Sequence, residues 1–100
     1  MDWLWTWGGL CFGYRKDDDL WTYDGRHVGH FKEEDVFALD GRYLGEIKSE
    51  KRLITRSSKL SRRASPRAQK AGRPPYVRYV SYVGYVMYAG FEDFPAPEDL

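Results

Sequence analysis

A sixteen-residue unit recurs in tandem through the first half of this 100-residue chain. Residues 20–35 and 36–51 share Asp, Gly, Arg, Gly, Lys and Glu in register, and residues 4–19 share Leu-Trp-Thr and two glycines with the second copy. A unit this short cannot bury a core by itself, so neighbouring copies must complete it. The repeat therefore predicts a fold assembled from small equivalent pieces.

Each copy has the pattern of a β-hairpin. In two copies Asp-Gly stands between runs rich in aromatic and β-branched residues, which is the strongest short-range signal for a hairpin with a two-residue turn. A two-residue turn in the second copy places Trp21 opposite Val28. The predicted turns are Gly8-Gly9, Asp24-Gly25 and Asp40-Gly41.

One face of each hairpin is predicted to form the core. Side chains alternate between the two faces of a strand, and the apolar face of the second copy carries Trp21 and Val28. We therefore expect Trp5, Trp21 and Phe37 to share one core. On the leaner face, Gly29 has a counterpart in each copy, which predicts close packing there.

A fourth, degenerate copy is expected over residues 52–64. Arg56-Ser57 stands there in place of Asp-Gly, and an ungapped alignment places Leu53 on Phe37. A lone hairpin is marginal in water, but several can bury their apolar faces together, and sixteen residues are too few for a four-stranded propeller blade. We predict an all-β, single-domain chain, residues 1–100, whose 16-residue β-hairpin repeats form a pseudo-symmetric ring of petals.

A family resemblance follows from these repeats. The run TYDGRHVGHFKEEDVFALDGRYLGEI, with its turn glycine, strand glycine and acidic link, resembles the four-fold beta flower proteins, small bacterial proteins with tandem petals of about this length. The resemblance covers roughly residues 4–64. It implies the petal fold, and it implies no biochemical activity.

Charge divides the chain into two halves. Residues 1–50 hold six basic and eleven acidic residues, a net charge of −5, whereas residues 51–100 hold ten and four, a net charge of +6. Residues 64–75 are expected to be a flexible linker. The basic stretch is interpreted as a solvated loop, a nucleic-acid or acidic-lipid contact, or a contact with the acidic half of another copy. Its candidate polyanion-binding residues are Arg52, Arg56, Lys59, Arg62, Arg63, Arg67, Lys70 and Arg73.

The C-terminal segment has a period that suits neither a half-buried strand nor a helix. Tyr recurs every third residue across residues 76–91, among β-branched Val and two glycines that disfavour a helix. We predict a Tyr/Val-rich C-terminal strand that packs across the petals or against another subunit, and hence a homo-oligomer. The candidate self-association residues are Tyr76, Tyr79, Tyr82, Tyr85 and Tyr88.

Catalytic and cofactor motifs are absent from the sequence. There is no phosphate-binding loop and no dinucleotide fingerprint. His27 and His30 fall on opposite faces of a predicted strand, so we expect no shared metal, and the acidic links are interpreted as solvated turns rather than a cation site. The single Cys11 excludes an internal disulfide and is expected to be buried, with a reactive thiol as the alternative. We expect no catalytic residue, metal or cofactor; a pocket lined by Cys11, His27 and Tyr43 would instead favour an enzyme.

The expected role is therefore binding or assembly. The apolar N-terminal run follows Asp2 rather than a basic region, so we expect no signal peptide, no membrane contact and a cytoplasmic location. The function predicted is a structural or protein-interaction module that self-associates. The alternative is a weak, non-specific binder of nucleic acid or another polyanion through residues 52–73.

Overall fold

The repeat region consists of strands joined by short turns. In the computed structural model, which describes residues 1–100, the strands are β1 Asp2–Thr6, β2 Cys11–Lys16, β3 Asp19–Thr22, β4 His27–Lys32, β5 Asp35–Ala38, β6 Tyr43–Lys48, β7 Arg52–Arg56 and β8 Phe91–Asp93. Each strand pairs antiparallel with the next, and β1 also pairs parallel with β7. That last pairing closes seven strands into a barrel, with β8 added to β7. The only helical pieces are two short 3₁₀ turns.

The three predicted hairpins form, but their turns are one residue longer than predicted. In the second petal the backbone N–H of Thr22 donates to the carbonyl of Arg26, so three residues make the loop. Its last residue, Gly25, has φ 91°, the left-handed position that such loops reserve for glycine. Trp21 consequently pairs with His27 rather than with Val28, and after a bulge beside it Leu20 pairs with Gly29.

On the first strand of each contiguous petal, the face opposite to the predicted one fills the barrel. The predicted shared core of Trp5, Trp21 and Phe37 is wrong. These three side chains are buried, but they lie outside the interior cluster, which takes the preceding residue of each copy. The interior cluster consists of Leu4, Phe12, Leu20, Val28, Phe31, Val36, Ala38, Leu44, Leu53 and Phe94.

The fourth petal is assembled from two distant segments. Phe31 pairs with Val36 in one link and Ile47 with Leu53 in the next, so the last link has one extra residue. Leu53 is therefore equivalent to Val36, not to Phe37 as the ungapped alignment predicted. After β7 the chain enters a 3₁₀ turn, Ser57–Lys59, and the second strand of the petal is β8.

The predicted C-terminal strand is present only at its far end. No regular secondary structure spans residues 64–88, and the strand pairing is confined to Phe91–Asp93. We call residues 62–88 the belt, because they run around the outside of the petals. No helix of the structure has the length and apolar character that a membrane crossing needs.

Candidate functional site: the belt and its outer ridge

The belt meets one petal every nine residues. At each of petals three, two and one, a belt N–H donates to the carbonyl of the turn glycine, and another, three residues later, donates to the carbonyl two residues before that glycine. The hydrogen bonds run from Ala64 to Gly41, Arg73 to Gly25 and Tyr82 to Gly9, and from Arg67 to Leu39, Tyr76 to Tyr23 and Tyr85 to Trp7. The sixteen-residue repeat of the barrel is thus matched by a nine-residue repeat of contacts in the belt.

The turn glycines are required by the belt as well as by the turn. A Cβ atom on Gly25 would lie 1.9 Å from the carbonyl oxygen of Arg73. The equivalent distances are 2.1 Å at Gly9 and 2.2 Å at Gly41. Contacts this short exclude a side chain, so the hairpin signal in the sequence also marks where the belt crosses.

The tyrosine period of three reflects how the belt faces the barrel. The carbonyls of Val80, Val83 and Val86 each accept a hydrogen bond from a barrel side chain. The donors are the indole Nε1 of Trp5 at 3.0 Å, the guanidinium of Arg52 at 2.8 Å and the indole Nε1 of Trp7 at 3.1 Å. An extended chain with three residues per turn, as in a polyproline II helix, presents every third residue to one side. The tyrosine period predicted as a strand therefore follows the three-residue spacing of these contacts.

The belt tyrosines cover aromatic residues of the first strand. Trp5 and Tyr82 stack with ring centroids 4.1 Å apart, and Trp3 meets Tyr79 edge to face at 4.6 Å. Such pairs stabilise by about 0.5–1.5 kcal/mol beyond their buried area. The predicted self-association residues Tyr76, Tyr79, Tyr82, Tyr85 and Tyr88 therefore contact their own chain, yet each remains 41–53% exposed.

The residues that follow these tyrosines point to solvent. Val77, Val80, Val83 and Val86 are 79–92% exposed, and we call this row the valine ridge. No charged residue occurs between Arg78 and Glu92. Several exposed apolar side chains along one segment are typical of a contact surface.

The predicted basic stretch is used largely within the chain. Four of its residues form ion pairs with carboxylates of the acidic half, and the Arg56 guanidinium bonded to Glu46 holds the pKa of Glu46 below its ordinary value. The charge difference between the halves is therefore partly matched inside one molecule. The pairs are Arg56–Glu46, Lys59–Asp35, Arg62–Asp35 and Lys70–Asp19.

The other four basic residues differ in their surroundings. Arg52 is buried and donates to backbone carbonyls of β1 and of the turn after it. Arg73 donates to the hydroxyl of Tyr14 at 2.9 Å. Arg63 and Arg67 are exposed and have no carboxylate partner, so they are the members of the stretch that remain open to an outside anion.

The residues proposed for an enzyme pocket lie in three different petals. Cys11, His27 and Tyr43 occupy equivalent positions, and all three are buried. His27 contacts Asp19 through Nε2 at 3.1 Å and accepts the N–H of Lys70 at Nδ1. Burial raises the pKa of the Cys11 thiol, which disfavours a reactive thiolate, and it raises the pKa of Tyr43 to about 12.

An open cleft of about 930 Å³ lies between the belt and the end of the barrel that carries the turns joining one petal to the next. Its apolar wall includes Trp3, Leu4 and Ile47, and its rim carries charges of both signs, among them Glu50 and Lys51. No group of three or more His, Cys, Asp or Glu side chains is placed to hold a metal ion.

A family model described as 4-fold beta flower protein matches residues 1–85. The chain belongs to this beta flower family. The match extends through the three contiguous petals into the belt, as far as the residue that bonds to Trp7. No curated protein and no solved structure matches the chain. Membership of the beta flower family therefore supports the petal fold and leaves the role of the protein to its surfaces.

Proposed function

We propose that this protein is a non-catalytic interaction module whose copies associate through the valine ridge. The observation that carries the proposal is the exposure of four valines in one row, three of them on a stretch with no charged residue. Soluble monomers rarely leave such a surface uncovered. A second copy offers the same neutral, apolar row, so the two ridges match each other in character.

The way the ridge is held also suits a contact surface. Its backbone is anchored to the barrel through the Val80, Val83 and Val86 carbonyls, so the valine side chains are presented by a supported segment. Little conformational entropy is then lost when a partner covers them. A partner that met a mobile tail would have to order it first.

Substitution of Val83 by Asp tests the proposal. Placing a charge in the middle of an apolar contact should weaken association by about tenfold or more. Light scattering of the full chain over a range of concentrations measures the loss. Ser81→Asp is the matched control, since it adds the same charge on the same belt turn but beside the ridge. A wild-type chain that stays monomeric at every concentration would contradict the proposal.

Polyanion binding has weaker support from the same geometry. Four of the eight candidate residues already pair with carboxylates, and the exposed unpaired ones are Arg63 and Arg67. Two phosphate contacts would give a log–log salt slope of only about −2 on duplex DNA. A salt titration with labelled duplex that gives a slope of about −4 or steeper would favour this alternative over the ridge.

A further inference from the structure

In petal four, one edge of β7 accepts β8, a strand that does not follow β7 directly in the sequence. One edge of β7 is shared: Arg52 and Leu53 pair with β1, and Ile54, Thr55 and Arg56 pair with β8. Without β8, the second part of this edge would expose unpaired backbone groups. An open edge of this kind is a template for another extended chain.

The segment that fills the acceptor is held at three kinds of contact. Besides the strand pairing, Phe94 is buried in the barrel interior, with its ring 5.3 Å from that of Phe12. The Asp93 carboxylate accepts the backbone N–H of Gly8 at 3.1–3.2 Å. A Cβ on Gly45 would lie 2.7 Å from the Phe94 ring, so this glycine leaves the space that the ring occupies. These are the contacts of a bound peptide, made by the chain's own end.

The connection to this segment is long and begins in an exposed turn. Thirty-four residues, 57–90, separate β7 from β8, and Ser57, Ser58 and Ser61 are exposed at the start of that connection. The Leu60 side chain in the same turn is 48% exposed, so packing of this turn against the petals buries little apolar surface. A connection of this length can reach a neighbouring barrel, because each extended residue spans about 3.3–3.6 Å.

We infer that the C-terminal segment is exchanged between copies, so that β8 and Phe94 of one chain complete petal four of a second chain. The exchanged contacts are the same contacts that the closed chain makes, which makes exchange a low-cost route to a dimer. The inference rests on the proposed function, because ridge contact holds two tails side by side and raises the local concentration of each for the other barrel.

Two single-cysteine variants of the full chain test the exchange in a Cys11→Ser background. One carries Arg56→Cys and the other Phe91→Cys, positions that face each other across β7 and β8. Register partners in antiparallel strands lie within disulfide range. The two variants are unfolded together, refolded as a mixture, oxidised and separated on a non-reducing gel. Exchange should produce a disulfide-linked heterodimer.

The matched control is a mixture of Asp2→Cys and Arg15→Cys, which face each other within the first hairpin. These strands are joined by a short turn and do not exchange, so this mixture reports random collisions. We expect about tenfold more heterodimer from the test mixture, because exchanged strands hold the two thiols at high effective concentration. A second test pair, Gly8→Cys with Asp93→Cys, samples the same interface at another contact.

The outcomes separate the two proposals. A heterodimer above the control supports exchange. Dimers in light scattering, with no heterodimer above the control in either pair, overturn exchange and leave the ridge proposal standing. A monomeric chain with no heterodimer overturns both. The double variant Arg56→Cys/Phe91→Cys checks folding, since a closed chain that folds forms the bond within itself.

Discussion

Petals one to three and petal four have the same place in the barrel but are built differently. Each of the first three is one continuous hairpin, with a glycine turn that the belt crosses. Petal four takes β7 from the end of the repeat region and β8 from beyond the belt. Local turns bring together the two strands of each of the first three petals, whereas the fourth takes its second strand from the last tenth of the chain.

This difference shows what a local signal can and cannot do. A turn glycine with alternating neighbours is enough to form a hairpin, because the two strands are brought together by a few residues. Petal four has no such signal, and it forms because an interior side chain, Phe94, fills the space beside Gly45. Burial has replaced the turn as the cause of strand pairing.

Removal of the Phe94 ring from petal four should give the largest loss in the free energy of unfolding. Phe94→Ala is expected to lower the free energy of unfolding by about 3–5 kcal/mol, because it leaves a cavity in the barrel. Urea denaturation measures the loss. Phe91→Ala is the control, since Phe91 lies three residues earlier, in β8, and outside the interior cluster. Equal losses for the two variants would show that the interior position of Phe94 does not matter.

A substitution in a continuous petal should have a smaller effect. A Cβ on Gly29 would lie 2.6 Å from the carbonyl oxygen of Phe37, so Gly29→Val must push neighbouring strands apart at a cost of about 1–3 kcal/mol. Gly72→Val is the control, because its nearest neighbour would be 3.5 Å away. Its free energy of unfolding should change by less than about 0.5 kcal/mol. A Gly29 variant as stable as this control would contradict close packing at the strand glycine.

The smallest predicted effect is a pH dependence of folding stability, which comes from His30 in petal two. Burial, with the nearby charge of Arg67, lowers the pKa of His30 below its ordinary value of 6.5. The unfolded chain then binds the proton more tightly, so stability is full above about pH 6.5 and falls as pH drops from there towards the lowered pKa. His30→Phe should flatten this part of a stability–pH curve measured by urea denaturation.

The carboxylates do not obscure this window. Glu46 and Asp24 also have lowered pKa values, but their ordinary values lie well below that of histidine, so their contribution is lost at more acid pH. His30 belongs to petal two, and petal four has no histidine. A wild-type curve that is flat between pH 6.5 and 5 would contradict the assignment.

The sequence predicted the family, the three hairpins and the all-β fold because those features depend on neighbouring residues. It misassigned Trp5 and Trp21 to the core because both faces of these strands are buried. Belt residues cover the outer face, so apolar character alone does not identify the inner one. The ungapped alignment matched Leu53 with Phe37 instead of its neighbour Val36. A single inserted residue in a charged link does not change the composition enough to be recognised.

The candidate site was less predictable than the fold. The period of the tyrosines was visible, but its meaning depends on which barrel groups lie at the same spacing, and those come from Trp5, Trp7 and Arg52. The internal ion pairs join residues as far apart as Asp19 and Lys70. Contacts at such separation follow from the path of the belt, which no short pattern in the sequence specifies.

Because β8 follows the belt in the chain, it is synthesised well after β7, the strand with which it pairs. Arg56 leaves the ribosome 37 residues before Asp93, which corresponds to roughly 2–7 s at typical elongation rates. Through that interval the three contiguous petals are complete in the nascent chain, while the open edge of β7 has no strand to receive. The addition of β8 is therefore timed by translation, and a chain that stops early keeps its three contiguous petals and lacks the second strand of petal four.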